Sequence, residues 1–139
     1  MESAASYRPP DESIGSRRRK IRVLLADDHR IIREGIATFL MDEDDIQVVG
    51  QACDGQEAVE LAEEIRPDVV LMDVTMPRLD GIEATRRIKR KMPQIRVIGL
   101  SMHATDDLAK AMRSAGASAY LAKNDCCGIL IDAIRSQAG

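Results

Sequence analysis

The amino-acid sequence predicts an α/β protein: a single doubly wound domain in which a five-stranded parallel sheet carries five helices. Five short apolar segments alternate with five segments that repeat apolar residues at helical spacing. The connections between them are short, which favours right-handed crossovers with helices on both faces of the sheet. Residues 69–72 form an unbroken apolar run, which is typical of a strand buried on both faces.

Composition limits the class of protein. The chain has 139 residues, 45% of them hydrophobic, which is enough for one domain with its own core. It contains one Phe, two Tyr and no Trp, so the core is expected to be aliphatic, and base stacking on aromatic rings is disfavoured. The formal net charge of −3 gives no reason to expect direct DNA binding by this chain.

Targeting signals and cysteines indicate the compartment. The sequence has no apolar run of membrane-spanning length and no apolar signal segment, so we expect a cytoplasmic chain without membrane contact. The cysteines are odd in number, two are adjacent, and no CxxC motif occurs (Cys53, Cys126 and Cys127). This pattern fits free thiols in a reducing compartment better than a disulfide framework.

Residues 1–19 are predicted to be a flexible linker or leader. They lack hydrophobic periodicity and contain Pro9-Pro10 and several serines. Residues 1–20 carry a charge of +2, so the remainder carries −5. The ordered domain is expected over residues 20–137, followed by a short tail at 138–139.

The strands are predicted, in chain order, at residues 21–26, 46–52, 69–73, 95–100 and 117–122. Each following segment has one apolar face at helical spacing. The members of these faces are Ile32, Ile36, Phe39 and Leu40; Ala58, Leu61, Ala62 and Ile65; Ile82, Thr85, Ile88 and Met92; Leu108, Ala111, Met112 and Ala115; and Leu130, Ala133 and Ile134.

Several helix ends carry recognisable signals. Asp54, Thr105 and Asp125 stand where N-caps are expected, because their side-chain oxygens can accept hydrogen bonds from the first turn. Pro67 is expected to end the second helix, and Gly116 the fourth.

Polar residues follow the first, third, fourth and fifth predicted strands. These residues are Asp27, Asp28, Asp73, Ser101 and Lys123. Because the carboxyl ends of parallel strands lie at one edge of a sheet, and ligands bind there, we expect these side chains to converge. The alternative is a set of unrelated turn residues, which the complementary chemistry of the set disfavours.

That combination suits phosphoryl chemistry. Three close carboxylates repel one another, and a hard divalent cation such as Mg²⁺ relieves the repulsion through oxygen ligands. Asp27 and Asp28 are the predicted metal-holding pair. Asp73 stands alone on the central strand and is the predicted nucleophile, which would form an aspartyl phosphate. Ser101 and Lys123 are predicted to contact phosphate oxygens.

Four segments resemble one known family. They are VLLADDH at residues 23–29, DVVLMDVTMPRLDG at 68–81, VIGLSMH at 97–103 and GASAYLAK at 116–123. Over residues 20–137 the chain resembles a bacterial response-regulator receiver domain of the CheY-like, flavodoxin-like fold. The resemblance is to the NarL/LuxR-type subgroup, which is usually joined to helix-turn-helix outputs.

The resemblance implies a role for each matching residue. Asp73 corresponds to the phosphoacceptor, and Asp27, Asp28, Asp73 and the backbone carbonyl of Thr75 to the Mg²⁺ ligands. Lys123 corresponds to the lysine that pairs with the phosphate.

The resemblance also implies a switch. Ser101 corresponds to the hydroxyl that moves toward the phosphoryl group, and Tyr120 to the aromatic residue whose exposure changes on phosphorylation. Thr75 and His103 stand at positions that tune the phosphate lifetime in the family, although neither is expected to be catalytic.

Two positions depart from the family pattern. Asn124 follows Lys123 where a proline often stands, so a cis peptide bond is not expected there. Met102 stands where many receivers have alanine, and we hypothesise that it crowds the approach to Asp73 and slows turnover.

The chain is therefore expected to be the phosphoacceptor receiver domain of a two-component phosphorelay. A histidine kinase or phosphotransfer domain would phosphorylate Asp73 with Mg²⁺. The switch would then signal to an output domain or partner through the face built from the fourth helix, fifth strand and fifth helix; homodimer formation stays open. Such a domain catalyses its own phosphorylation and dephosphorylation but is not a classical enzyme.

Alternatives for setting and function remain at this point. The chain could be a fragment of a DNA-binding regulator, a stand-alone receiver, or the C-terminal receiver of a hybrid histidine kinase. The hybrid-kinase setting would make it part of an enzyme, and the VIGLSMH segment and the end at Gly139 favour that setting.

A Mg²⁺-dependent aspartyl-phosphate phosphatase is disfavoured, because Thr75 stands where a second acid is needed. A nucleotide-binding module is also disfavoured, because this chain lacks the Gly-rich phosphate loop that such a module needs after its first strand. A degenerate receiver that acts only as an interaction module is the remaining alternative.

Overall fold

The computed structural model describes residues 19–102, 105–125 and 127–138. Within these residues, strands and helices alternate in the predicted order. The elements are β1 (Ile21–Ala26), α1 (Arg30–Met41), β2 (Ile46–Ala52), α2 (Gly55–Ile65), β3 (Val69–Asp73), α3 (Gly81–Lys91), β4 (Arg96–Ser101), α4 (Asp106–Ala115), β5 (Ala119–Ala122) and α5 (Cys127–Ala138). No helix of this part of the chain is long and apolar enough to cross a membrane.

The strands form one parallel sheet in the order β2-β1-β3-β4-β5. The chain moves outward from β1 to β2 and then returns to the other side of β1 for β3, so the order reverses between β1 and β3. Ligands of open α/β sheets bind outside the carboxyl ends of the strands at such a reversal. The predicted fold class is confirmed, and the fold points to the end of β3 as the site.

The sheet separates two hydrophobic layers. Along β1, Val23 and Leu25 face one layer whereas Leu24 and Ala26 face the other, as the two-residue period of a strand requires. The first layer contains apolar residues of α1 and α5, and the second contains those of α2, α3 and α4. All five residues of β3 are buried. The central strand is therefore buried on both faces, as its unbroken apolar run predicts.

Most predicted helix ends are confirmed. Asp54 accepts a hydrogen bond from Glu57 N, and Thr105 accepts one from Leu108 N. Gly116 ends α4 with φ 117°, a left-handed conformation that favours glycine.

One expectation near the C-terminal part of the fold is corrected, and one stays a prediction. Whether Asp125 caps α5 depends on residue 126, which lies outside the described residues; the Asp125 carboxylate accepts a hydrogen bond from Ala122 N. The fifth strand begins at Ala119 rather than at residue 117, because Ala117 N donates to Met112 O and completes the end of α4.

Candidate functional site

The carboxyl edge of the sheet brings three predicted site residues into contact. Asp27 follows β1, Asp73 is the last residue of β3, and Lys123 follows β5. Lys123 Nζ lies 2.8 Å from Asp27 Oδ2 and 3.2 Å from Asp73 Oδ2. The predicted convergence of these charges is therefore observed.

The contact is buried. Asp27 and Asp73 are each 3% exposed, and the Lys123 side chain is 2% exposed. Placing two carboxylates together away from water is costly, and a single ammonium group between them compensates only part of the charge. The three groups leave one negative charge in excess when both carboxyls are ionised, so the site attracts a further cation.

Asp27 and Asp73 respond to this environment in opposite directions. Burial raises the pKa of Asp73 to about 6, and the neighbouring Asp27 carboxylate adds to the effect against the opposing charge of Lys123. Burial would also raise the pKa of Asp27, but the Lys123 ammonium and the backbone N–H of His29 outweigh it and hold that pKa below its ordinary value. Asp27 is thus the stable anion of the pair.

His29 joins this cluster, which the sequence did not predict. Its Nδ1 lies 3.1 Å from Asp27 Oδ1, 3.3 Å from Asp28 Oδ1 and 3.9 Å from Asp73 Oδ2. The same nitrogen lies 3.4 Å from Lys123 Nζ. The DDH tripeptide after β1 was the available signal, but it does not reveal that the ring turns toward the carboxylates.

The cluster fits a divalent cation. One ligand atom from each of Asp27, Asp28, His29 and Asp73 lies within 4.8 Å of all the others. Asp27 Oδ2 and Asp73 Oδ2 are buried, and although Lys123 is close to both, neither has a hydrogen-bond partner in acceptable geometry. Buried carboxylate oxygens without hydrogen bonds are available to coordinate a cation.

The other predicted site residues lie around the cluster. Asp28 is exposed at its rim, with 32% of its side chain accessible. Ser101 is 6% exposed and ends β4, one residue beyond the partner of Asp73 in the β3–β4 register. Thr75 is exposed, and its backbone N–H lies 3.4 Å from Asp73 Oδ1.

The loop after β3 is held against the N-terminus of α2. Arg78 has φ 67°, which is unusual for a residue with a side chain, and its Nη2 lies 3.0 Å from Asp54 Oδ2. A Cβ at Gly55 would overlap the Leu79 carbonyl oxygen. A Cβ at Gly81 would overlap the Asp73 carbonyl oxygen. The glycines therefore let this loop close tightly behind Asp73.

Tyr120 lies on β5 beside Gly99 of β4 in the strand register. A Cβ at Gly99 would lie 2.8 Å from Tyr120 Cδ1 and 2.9 Å from Met112 Cε. The Tyr120 hydroxyl is buried and has no hydrogen-bond partner among the described residues. Gly99 thus provides the space that the ring occupies under α4.

Two sequence predictions concern the segment after β4. Met102 is 51% exposed, so its side chain is accessible beside the site. His103 lies outside the described residues. The peptide bonds in the part of the chain that the structure covers are all trans, as expected after Lys123.

A cavity of about 610 Å³ lies at the opposite edge of the sheet. Its lining includes Arg19, Lys20, Arg66 and Arg96, with Asp68 as its single acidic residue. It contains none of the predicted site residues.

A model of the response regulator receiver domain family matches residues 23–135. This chain belongs to that family. It is similar to the transcriptional regulatory protein LiaR of Bacillus subtilis, with 47% identity over 116 residues that cover 84% of this chain and 55% of LiaR. It is also similar to the response regulator GacA of Pseudomonas viridiflava, with 44% identity over 115 residues that cover 83% of this chain and 54% of GacA. The chain thus spans about half the length of these curated relatives.

Solved structures of receiver domains share the fold. The receiver domain of the putative response regulator NarL from Mycobacterium tuberculosis superposes with a TM-score of 0.84 at 31% identity, covering 87% of this chain and 98% of that one. A CheX–CheY complex with BeF3 and Mg²⁺ from Borrelia burgdorferi gives a TM-score of 0.77 at 26% identity, covering 84% of this chain and 87% of that one. The predicted receiver family and NarL/LuxR-type subgroup are confirmed.

Proposed function

We propose that this receiver domain accepts a phosphoryl group on Asp73 from the phosphohistidine of a histidine kinase or phosphotransfer domain. The observation that supports this most directly is the buried contact of Asp73 with Asp27 and Lys123 at the carboxyl end of the central strand. A carboxylate at this position can act as a nucleophile, and the lysine is placed to neutralise charge that arrives with the phosphate.

In the proposed step, an Asp73 oxygen attacks phosphorus and forms an acyl phosphate. The phosphorus–nitrogen bond of phosphohistidine breaks, and the imidazole nitrogen keeps the electron pair. Lys123, 3.2 Å from Asp73 Oδ2, attracts the phosphoryl oxygens and leaves Asp27 as it does so. Ser101 at the end of β4 then donates its hydroxyl hydrogen to a phosphate oxygen. These residues position and neutralise the group that is transferred.

The proposed cofactor is Mg²⁺. Asp27, Asp28, Asp73 and the backbone carbonyl of Thr75 would hold it, and it would neutralise the negative charge of the transferring group. The buried oxygens of Asp27 and Asp73 that lack hydrogen bonds support this assignment. So does the similarity to a CheY that was solved with BeF3 and Mg²⁺.

The proposed output is a conformational switch. Movement of Ser101 toward the phosphate would free space beside β4, and Tyr120, packed against Gly99, lies on the neighbouring strand. A change of the Tyr120 ring would alter the face formed by α4, β5 and α5, where an output domain, a partner or a second copy of the chain would bind.

The proposed setting is a cytoplasmic response regulator. Its curated relatives LiaR and GacA carry names of a transcriptional regulatory protein and a response regulator, and this chain spans about half of each. The names of these relatives favour a response regulator over the hybrid-kinase alternative, which stays a prediction.

Intact mass spectrometry after incubation with acetyl phosphate tests the proposal. Wild type with Mg²⁺ should gain one phosphoryl group, and the adduct should disappear with EDTA. Asp73→Asn should gain none, whereas Asp44→Asn, which changes an exposed carboxylate outside the site, should behave as wild type.

Two results would contradict the proposal. An adduct on Asp73→Asn would place the phosphate elsewhere, and an absence of adduct on wild type with both acetyl phosphate and a phosphorylated histidine donor would indicate an interaction module without phosphoryl chemistry. Steady release of phosphate from added phosphomonoesters would instead favour the phosphatase alternative.

A further inference from the structure

We propose that His29 is a nitrogen ligand of the acidic site and that the site therefore binds divalent first-row transition cations in competition with Mg²⁺. This inference rests on the proposed function in one respect, because it uses the same carboxylates. It assigns a cation-selecting role to a residue outside the predicted ligand set of Asp27, Asp28, Asp73 and the Thr75 carbonyl.

The position of the ring is the first argument. Divalent cations bind protein nitrogen and oxygen at about 2.1 Å, so neighbouring ligands in an octahedral shell lie about 3.0 Å apart. His29 Nδ1 lies 3.1 Å from Asp27 Oδ1 and 3.3 Å from Asp28 Oδ1. Its 3.9 Å separation from Asp73 Oδ2 also falls within the reach of one shell. The contact with Asp27 is also within hydrogen-bond distance, and the same spacing fits two ligands of one coordination shell.

The absence of a helix-capping role is the second argument. His29 is the N-cap residue of α1, yet its side chain makes no cap hydrogen bond. Residues such as Asp, Asn or Ser serve best at this position, because their short side chains reach back to the first turn. The ring turns instead toward the carboxylates, while the backbone N–H of His29 donates to Asp27 Oδ1 at 2.9 Å. The backbone contact fixes the tripeptide so that the ring faces the site.

Ligand chemistry gives the selectivity. Mg²⁺ is a hard cation that prefers oxygen, so an imidazole adds little to its binding. Imidazole suits Ni²⁺, Cu²⁺ and Zn²⁺, which also bind most sites more tightly than earlier first-row cations do. The buried oxygens of Asp27 and Asp73 without hydrogen bonds serve either class of cation. His29 therefore raises the affinity for transition cations selectively.

Entry to the site is open on the side of the ring. The His29 side chain is 53% exposed, whereas those of Asp27 and Asp73 are 5% exposed. A hydrated cation thus meets His29 and Asp28 at the rim before it reaches the buried carboxylates.

Isothermal titration with Ni²⁺ and with Mg²⁺ tests the inference on the full chain without a polyhistidine tag. Ni²⁺ is chosen over Zn²⁺ because Cys53 and Cys127 are exposed thiols. His29→Asn keeps an oxygen ligand and a capping side chain but removes the nitrogen. We expect it to lower Ni²⁺ affinity by at least about tenfold and to change Mg²⁺ affinity by less than about threefold.

His103→Asn is the matched control, because His29 and His103 are the two histidines of the chain. It should leave both affinities unchanged. Paramagnetic Co²⁺ should also shift the ring resonances of His29, and His103→Asn identifies which histidine signals those are. Thermal unfolding of each variant verifies that the fold is intact.

The outcomes separate this inference from the proposed function. Equal losses of Ni²⁺ and Mg²⁺ affinity in His29→Asn, an unchanged Ni²⁺ affinity, or a loss in His103→Asn would each overturn the ligand role. Asp73 would still accept phosphate with Mg²⁺ in all three cases. Conversely, a selective Ni²⁺ loss in a protein that gains no phosphoryl group would keep the cation site and overturn the proposed function.

Discussion

Lys123 Nζ lies 2.8 Å from Asp27 Oδ2, and both side chains are almost completely buried. Residues 27 and 123 are far apart in the chain and follow the first and the last strand of the sheet. Their contact compensates part of the charge of the acidic cluster. It also makes the fold sensitive to the charge on Asp73, which shares the same ammonium group.

Removal of the Lys123 charge should destabilise the cation-free protein. Lys123→Met leaves two buried carboxylates without their counter-ion, so we expect a loss of about 3–5 kcal/mol in the free energy of unfolding at neutral pH. Added Mg²⁺ should recover part of this loss. Urea unfolding in EDTA and in Mg²⁺ measures both effects.

Lys91→Met is the control for that experiment. Lys91 pairs with Glu63 at 2.9 Å on the surface, where both side chains are exposed, so its removal should change stability by less than about 1 kcal/mol. Similar losses of unfolding free energy in the two variants would show that the buried Lys123 contact contributes no more to stability than an exposed ion pair.

Neutralisation of Asp73 should stabilise the protein at neutral pH. The pKa of Asp73 is raised from 3.8 to about 6 in the folded state, so folding takes up a proton between these values and the ionised form disfavours folding at higher pH. Asp73→Asn removes this penalty and should gain about 1–3 kcal/mol at pH 7.5 without Mg²⁺. The gain should shrink as pH falls from 6 toward 4.

Thermal unfolding in EDTA at a series of pH values measures this gain. Asp44→Asn, in which an exposed carboxylate is changed, should show no comparable pH dependence. A variant at residue 73 that is less stable than wild type at pH 7.5, or a gain that grows as pH falls, would contradict the raised pKa.

Gly99→Ala should displace the Tyr120 ring. The new methyl group would lie 2.8 Å from Tyr120 Cδ1 and 2.9 Å from Met112 Cε, so one of them must move. We expect a loss of about 1–3 kcal/mol and greater exposure of the ring. Acrylamide quenching of tyrosine fluorescence in a Tyr7→Phe background reports on Tyr120 alone, since the chain has two Tyr and no Trp.

Gly35→Ala is the matched substitution. Gly35 lies inside α1, and a Cβ there meets nothing within 4 Å, so alanine should stabilise the helix by about 0.5–1 kcal/mol. Unchanged quenching in Gly99→Ala would mean that only the Met112 side chain moves to accommodate the new methyl group. Gly99 would then not control the position of the Tyr120 ring.

Gly81→Ala should directly disturb the backbone at the end of β3, which carries Asp73. The new Cβ would overlap the Asp73 carbonyl oxygen and lie 2.9 Å from Val74 Cα. These are backbone atoms, which cannot move away as the end of a flexible side chain can. We expect a loss of about 3 kcal/mol or more and slower phosphoryl-adduct formation. Urea unfolding and timed mass spectrometry measure the two effects.

Gly50→Ala provides the comparison for Gly81. Its nearest atoms are Ile65 Cδ1 at 2.9 Å and Leu24 Cδ1 at 3.1 Å, both at the ends of flexible side chains, so the loss should be near 1 kcal/mol. A smaller loss at Gly81 than at Gly50 would be incompatible with the tight closure behind Asp73.

The sequence by itself determined the fold class and most of the polar edge. Strict alternation of apolar strands and amphipathic helices predicts a parallel sheet, and a parallel sheet brings the strand ends to one side. Asp27, Asp73 and Lys123 could therefore be grouped before any distance was known. The start of β5 was predicted two residues early, since the apolar pattern does not reveal that Ala117 N completes the end of α4.

Only the tertiary structure decided how side chains meet across that edge. The inward turn of His29 depends on Asp27 and Asp28 beside it and on Asp73 from another strand. The packing of Tyr120 against Gly99 depends on the β4–β5 register, which joins residues that the sequence separates by a whole helix. Periodicity determines which face of an element is apolar, but long-range register and ring orientation follow from packing, which no local pattern contains.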